Sequence, residues 1–340
     1  MKISIDAGGF CADQGWKYGN YTFTENLVKA LLQYDQNNLY YLYSFCKIPV
    51  YLKLGNKWKY LLLQPRKLWM KFRVSLEEML WPKNVFLGIN QAVPMYTKSK
   101  IISFSHGLSY YYFPQYYRES FIRLSMQLTP MIQQSKYIVA SSQKVKKEMK
   151  EAYPDYQNVK VIPFGIPFDM LDLGIKISKQ NNPYFMYVGM NHPIKNIKFI
   201  ISAFKQFRKM RQFKKYSLIL IGLQNTHGSI KDHIKIIPTI SRQELKNLYR
   251  NSTAYLSASL YESFNFPVLE ALSQKCEVIA LESAIIPEFY SYVTPVKDLE
   301  EFVSRMKDIG SGKRTKILTE KLKNQFSWKK YVKKLTKLYI

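Results

Sequence analysis

Glu262, Glu270 and Lys195 are the residues whose type and setting point most directly to chemistry. The two glutamates stand eight residues apart in the stretch LSASLYESFNFPVLEALSQ. Pro267 fits the start of a helix, where its missing N–H costs nothing. The amides of Phe264 to Leu269 would then converge on one point, with Phe264, Asn265 and Phe266 bringing their backbone to a site suited to an anionic phosphate. Glu270 falls on the first turn of that helix, where a carboxylate also has the simpler role of offsetting the helix dipole. Glu262 is harder to explain that way. A loop acid beside an anion site repels the anion unless it addresses another part of the ligand, and hydroxyl groups are the natural partners of a carboxylate acceptor. A nucleotide-sugar joins a diphosphate to ribose and sugar hydroxyls in one molecule.

Lys195 lies in YVGMNHPIKN, which reads as a strand ending at Gly189, a short loop and a helix start. A lysine there opposes the helix dipole, and an anionic ligand reverses the penalty. With the amide cluster, Lys195 can offer positive charge to a departing diphosphate without a metal. Consistent with that, the sequence has no Asp-x-Asp pair, and no metal site is expected. Near the N-terminus, Gly8-Gly9 through Gly15 to Gly19-Asn20 form a glycine-containing loop that would let backbone approach a ligand, although G-x-G-x-x-G is absent. His106 follows the apolar run Ile101–Phe104. A lone histidine is more often a packed structural residue, and its place after a strand end shifts it toward a ligand role.

These residues need elements to position them. Short apolar runs alternate with segments of helical period, the pattern of α/β chains with parallel sheets. Strands are expected at residues 1–6, 40–45, 85–87, 101–104, 137–140 and 159–163, with a helix over Thr24–Tyr34. After Asn181-Asn182-Pro183, a turn signal, strands are expected at 184–188, 217–221, 233–237, 254–256 and 277–280. Helices fall over 197–210, 242–249 and 267–273, with a lysine-rich one at the C-terminus. The divisions are 1–167 for an N-terminal domain, 168–183 for a linker, 184–312 for a C-terminal domain and 313–340 for a final helix. Two doubly wound domains facing each other would bring their strand C-terminal ends to one cleft, where such folds bind ligands.

The chain resembles the family-4 glycosyltransferases of the GT-B type over nearly its whole length. The signals run in the family's order: a glycine loop after the first strand, a histidine in SFSHGLSYYYFPQYY, VIPFGIPFD at the domain junction, YVGMNHPIKN, ESFNFPVLE with Glu-x7-Glu, and Phe326-Ser327-Trp328 in the returning helix. The resemblance implies two facing Rossmann-like domains with an interdomain cleft. It implies an N-terminal acceptor domain, a nucleotide-sugar donor (UDP-, GDP- or ADP-sugar) bound by the second domain, no other cofactor, and transfer with retention by front-face attack. By resemblance Glu270 binds ribose hydroxyls, Glu262 faces the donor sugar, Lys195 binds the diphosphate and His106 lies against the transferred sugar. Gly19 and Asn20 approach the donor phosphates or the acceptor. The chain departs from the family pattern at Met190, often Arg; at Ser263-Phe264-Asn265, usually G-F-G; at Phe164, usually Asn; and at Gly107, often Asp. An alternative of another class is a GT-B-like scaffold or regulatory binding protein without turnover.

Composition bounds the setting. The chain has 340 residues with 51 Lys and Arg against 24 Asp and Glu, a net charge of +27, and 15% aromatic residues, which excludes a disordered chain. Residues 51–86 hold eight basic residues against two acids, interleaved with aromatics, and 313–340 hold ten against Glu320. Basic, aromatic-rich amphipathic segments suit an anionic membrane surface, while a helix of such period in an α/β domain ordinarily packs onto its sheet. No nucleic-acid-binding signature is present, and no nucleic acid partner is expected. Cys11, Cys46 and Cys276 have no spacing suited to a disulfide framework or zinc site, which favours a reducing compartment. Residues 1–6 read as a strand rather than a signal segment. The expected location is cytoplasmic, with peripheral contact to the inner face of the membrane and a glycan or lipid-linked acceptor.

Overall fold

The computed structural model describes residues 1–11, 19–118, 120–175, 182–223, 230–314 and 319–340. The chain divides into two compact units, Met1–Gly165 with Phe326–Ile340, and Ile166–Gln325. Each is a doubly wound sheet, as the alternation of apolar runs and helical periods predicts.

The first unit contains β1 (Lys2–Asp6), α1 (Gly19–Tyr34), β2 (Leu39–Ser44), β3 (Trp58–Leu62), α2 (Ser75–Leu80), β4 (Val85–Gly88) and β5 (Lys100–Ser105). It continues with α3 (Ser109–Tyr112), α4 (Phe121–Gln134), β6 (Ser135–Ala140), α5 (Gln143–Ala152) and β7 (Val159–Val161). The sheet order is β3-β2-β1-β4-β5-β6-β7, and every pairing is parallel. Strands covered on both faces need apolar residues at nearly every position: Ile3, Ile5, Leu42, Phe86, Leu87 and Ile102 are all fully buried. The order reverses between β1 and β4, so the loops after those strands flank the switch point where doubly wound sheets hold ligands. The trace departs from the sequence pattern in two elements. β3 was expected to be part of a basic segment and is an edge strand, only its first residue being buried. α1 begins at Gly19, earlier than Thr24, so Gly19 and Asn20 lie on its first turn.

The second unit contains β8 (Tyr184–Val188), α6 (Ile197–Phe207), β9 (Ser217–Ile221), β10 (Ile230–Lys231), β11 (Ile234–Ile237) and α7 (Arg242–Asn251). β12 (Ala254–Ser257), α8 (Phe266–Ser273), β13 (Val278–Ala280), α9 (Leu299–Gly310) and α10 (Thr319–Gln325) complete it. Its order is β10-β11-β9-β8-β12-β13, parallel except for the β10–β11 pair. The core gathers Phe185, Tyr187, Ile200, Phe204, Leu256 and Phe302. α9, absent from the expected elements, is capped by Asp298, whose side chain accepts from the Glu301 amide. Its buried Phe302, Val303, Met306 and Ile309 follow helical period.

The C-terminal α11 (Trp328–Thr336) belongs to the first unit. It buries Trp328, Tyr331, Val332 and Leu335. Phe23 of α1 stacks within 4.4 Å of Phe164 and 6.3 Å of Trp328. Gly165 leaves room for that indole, since a Cβ there would stand 2.5 Å from the Trp328 ring. Phe164, where the resembled family usually has Asn, therefore serves this aromatic packing. α11 spends its apolar residues inward, so the expected membrane contact of 313–340 would rest on lysines alone.

The cysteine reading is corrected. Cys11 and Cys46 are bonded, with Cα atoms 5.7 Å apart, because β1 and β2 are neighbours and the residues after both strands meet at the same sheet edge. Only Cys276 is a free, buried thiol, and cysteine spacing no longer argues for a reducing compartment.

Candidate functional site

In the second unit, β8 lies between β9 and β12, and the order reverses across it. The loops after β8 and β12 therefore leave neighbouring strand ends, and they are tied directly by Leu260 N–H donating to the Ile194 carbonyl at 2.8 Å. That contact sets Lys195 opposite Glu262. Lys195 Nζ donates to Glu262 Oε1 at 2.7 Å, and the Ser259 hydroxyl donates to the same oxygen at 2.7 Å. Lys195 ends a 3-10 turn, Pro193–Lys195, whose start is capped by the His192 ring accepting from the Ile194 amide. Asn196, in left-handed conformation, then opens α6. Both ionic side chains reach the surface, at 25% exposure for Lys195 and 11% for Glu262.

The backbone beneath the pair is close-packed. A Cβ at Gly189 would run into the buried Tyr187 hydroxyl, and one at Gly222 would stand 2.9 Å from the Gly189 carbonyl oxygen. Gly222 also has φ +89°, so the ends of β8 and β9 approach closely only because both positions are glycine. Burial, with Glu262 adding to it, pushes the Tyr187 hydroxyl well above its usual range, so it stays protonated.

α8 differs from the expected helix start. Asn265 is its N-cap, at φ 70°, and Pro267 is the second helical residue. The Val268 and Leu269 amides donate to Asn265, which shrinks the expected amide cluster. The Asn265 side-chain amide donates to Ser257 Oγ and the Ala284 carbonyl at 3.1 and 2.9 Å. Asn265 is thus a buried joint between β12, α8 and the loop after β13, and not a side chain offered to a ligand. Phe264 and Phe266 are buried as well and pack on each other at 5.3 Å.

Glu270 lies in the second turn of α8, not the first, and is 3% exposed. Its two oxygens are already addressed: Oε1 by Arg242 at 2.7 Å and Oε2 by the Tyr249 hydroxyl at 3.2 Å. Arg242, at the start of α7, also donates through Nε and Nη2 to Asp169 at 2.6 and 3.1 Å. Burial works against the Arg242 charge, and Glu270 and Asp169 outweigh it, so the guanidinium is held charged. Sequence reasoning missed Arg242 and Asp169; Arg-Gln-Glu-Leu after Ser241 reads only as a capped helix start, which it also is.

The first unit holds the remaining expected residues. His106 Nε2 donates to the Ile89 carbonyl at 2.6 Å, which fixes Nδ1 as an acceptor. Burial lowers its pKa, only partly opposed by that bond, so the ring is neutral. Phe23 packs edge-on against it at 5.2 Å. Gly107 has φ +92°, a turn that disfavours the Asp common after the histidine in the resembled family. At Gly19 a Cβ would meet open space, whereas at Gly9 it would collide with Thr24 Oγ1 and stand 3.0 Å from Asn90 Oδ1. Gly9 is therefore the glycine of that loop with a packing requirement. Gly15 lies outside the described residues. Asp6, read from sequence only as part of a strand, is buried beside these groups; desolvation pushes its carboxyl up to about 6, against the lowering effect of the Gly8 amide and Asn90.

Among the described residues no group of three or more His, Cys, Asp or Glu side chains is arranged to hold a metal ion. Residues 174–334 match the family described as Glycosyl transferases group 1. The chain is 27% identical over 195 residues to the O-antigen chain mannosyltransferase RfbU of Salmonella typhimurium, spanning 53% of this chain and 52% of that protein. It is 24% identical over 220 residues to the UDP-Gal:alpha-D-GlcNAc-diphosphoundecaprenol alpha-1,3-galactosyltransferase of Escherichia coli, 56% of each chain. The chain thus spans about half the length of these relatives. Among solved structures, the sucrose-phosphate synthase of Thermosynechococcus elongatus superposes with a TM-score of 0.76 at 16% identity, over 99% of this chain and 98% of that one. The chain has the GT-B fold, and its residues 174–334 match the Glycosyl transferases group 1 family.

Proposed function

We propose that this chain transfers a sugar from a nucleotide-sugar to a lipid-linked or glycan acceptor in cell-envelope glycan synthesis, with retention at the anomeric carbon. The observation that carries this reading is the Lys195–Glu262 contact at 2.7 Å, where the loops after β8 and β12 leave neighbouring strand ends. Lys195 is held by Glu262 until a donor diphosphate offers a stronger anionic partner. Its transfer to the diphosphate frees Glu262 to accept from the donor sugar's hydroxyls, so one ion pair serves both ends of the ligand. Glu270, held by Arg242 and Tyr249, keeps acceptor capacity for ribose hydroxyls.

In the reaction, the bond from the anomeric carbon to the β-phosphate oxygen breaks, and its electron pair leaves with the phosphate. The acceptor hydroxyl oxygen bonds to that carbon on the same face, and its proton passes to the departing phosphate oxygen. Lys195 stabilises the charge that builds there. In this reading Ile166–Gln325 is the donor unit, while the first unit, with His106, Gly19 and Asn20, meets the sugar and acceptor. The relatives described above support a UDP-linked donor and a diphosphoundecaprenol-linked acceptor, or a mannosyl donor. No helix among the described residues is long and apolar enough to cross a membrane, which suits a cytoplasmic enzyme meeting its acceptor peripherally at the inner membrane face.

Nucleotide release, assayed over UDP-, GDP- and ADP-sugars, tests the assignment. Lys195→Ala and Glu262→Ala are each expected to lower turnover by about 10²- to 10³-fold, the usual cost of one preorganised charge partner, without changing the melting curve of the free protein by more than a few degrees. Full activity in either variant removes the assignment. Donor binding without release by the wild-type chain would favour a binding protein of this fold.

A further inference from the structure

Helix α2 and the turn before it are inside out for a helix of an α/β domain. In Arg66–Trp81 both acids point inward: Glu77 and Glu78 are 4% and 0% exposed. Glu77 lies 3.8 Å from buried Lys83. Glu78 accepts from the hydroxyls of Tyr43, Thr97 and Ser99 at 2.9, 2.8 and 2.5 Å. Phe72, Leu76, Met79 and Trp81 point outward, 57%, 44%, 51% and 59% exposed, while Trp69 and Val74 turn into the core. Arg66, Lys67 and Lys71 are exposed beside them and Arg73 is half-exposed. The outer face of this stretch is therefore apolar and purely cationic.

α4 rests on the same core cluster and also exposes apolar residues. Trp69 and Val74 before α2, and Leu128 and Met131 of α4, belong to one core cluster beneath the same face of the sheet. On that side α4 exposes Ile122 and Met126, 69% and 60%, one helical turn apart, with Arg123 exposed between them. Exposed apolar side chains in such a group mark an interaction surface.

We propose that this face of the first unit, residues 66–81 with the outer side of α4, docks on an anionic phospholipid surface. The charge selects the occupant. A second copy of the chain would set cations against cations, and a nucleic acid backbone offers nothing to Leu76, Met79 and Ile122. A leaflet of acidic lipids offers both headgroup phosphates and an apolar layer within reach of interfacial side chains. The inference deepens the function proposed above, on which it rests for why a lipid surface would be the workplace. Its test does not pass through catalysis.

The full chain is floated with vesicles of phosphatidylcholine alone and with vesicles of phosphatidylcholine and phosphatidylglycerol at about three to one. Recovery is expected with the acidic vesicles and far less with the neutral ones. The variant Lys67→Gln/Lys71→Gln/Arg73→Gln is expected to lose roughly a hundred-fold in partitioning to acidic vesicles, about five-fold per cation. Leu76→Ser/Met79→Ser/Trp81→Ser is expected to lose binding while keeping the wild-type melting curve, since these side chains are outside the core. Equal recovery with both vesicle types, unchanged binding of either variant, or a wild-type dimer in sedimentation that the serine variant dissociates would each overturn the proposal. Donor-induced thermal shift of the same variants should match the wild type. Its absence in the wild-type chain as well would count against the proposed function and leave the docking result standing.

Discussion

Glu270 gives the residue scale its sharpest question, because a carboxylate meant for ribose is already held from two sides. Arg242 bridges it to Asp169 through Nη2, which donates to both carboxylates, while Nε adds a second bond to Asp169, a fork that lysine cannot reproduce. Arg242→Ala leaves Glu270 buried without its cation. The expected stability loss is about 2 kcal/mol, below the roughly 3–5 of a fully buried pair because Arg242 is itself partly exposed. If the arginine positions Glu270 for the donor, Arg242→Ala raises the donor KM about ten-fold with kcat nearly unchanged, and Arg242→Lys rescues neither KM nor stability fully. A purely structural arginine would lower stability and leave KM alone. Glu262, Glu270 and Lys195 stood out in the sequence because the features that single them out, an acid pair and a nearby helix start, are local. Arg242 and Asp169 were not, since the contacts that give them meaning join α7, α8 and the turn at Phe168–Met170 across long separations.

At the scale of elements, buried parallel strands read as short apolar runs, which is why β8 and β9 fall where the sequence pattern puts them. β3 escaped because an edge strand tolerates lysine in its middle. α2 was legible as amphipathic but not in direction, packing onto the sheet and facing a membrane both being open, for periodicity identifies an apolar face without saying what covers it. The start of α8 shows another limit. Pro267 announced the helix, but the left-handed Asn265 before it became visible only with its partners Ser257 and Ala284. Asn265→Ala keeps an unfavourable φ and loses those bonds, with an expected cost of about 3 kcal/mol; Asn265→Gly loses the bonds but suits the φ, with a cost of about 2. Urea unfolding of the two variants measures the difference. Equal losses would show that the backbone conformation is not what asparagine supplies there.

For the whole molecule, the excess of +27 now has a place as well as a size. Lys195 is turned to a carboxylate in the candidate site, while a cationic stretch shares the outer face of the first unit with exposed apolar residues. The two units have separate cores, and α11 contributes Trp328 and Tyr331 to the first although it follows the second in sequence. That connectivity predicts two calorimetric transitions with different sensitivities. Trp328→Ala, removing an indole packed on Phe23 and Gly165, should destabilise the first unit by about 3–5 kcal/mol and move one transition only. A nucleotide-sugar at a hundred times its Kd should stabilise the unit that binds it by about 2.7 kcal/mol. For a unit of this size that moves the other transition up by roughly 5–10 °C. Lys195→Ala and Glu270→Ala should abolish the donor shift, and Trp328→Ala should leave it intact. If the donor instead moved the transition that Trp328→Ala lowers, the donor site would belong to the first unit, and the roles given to Lys195, Glu262 and Glu270 would fall together.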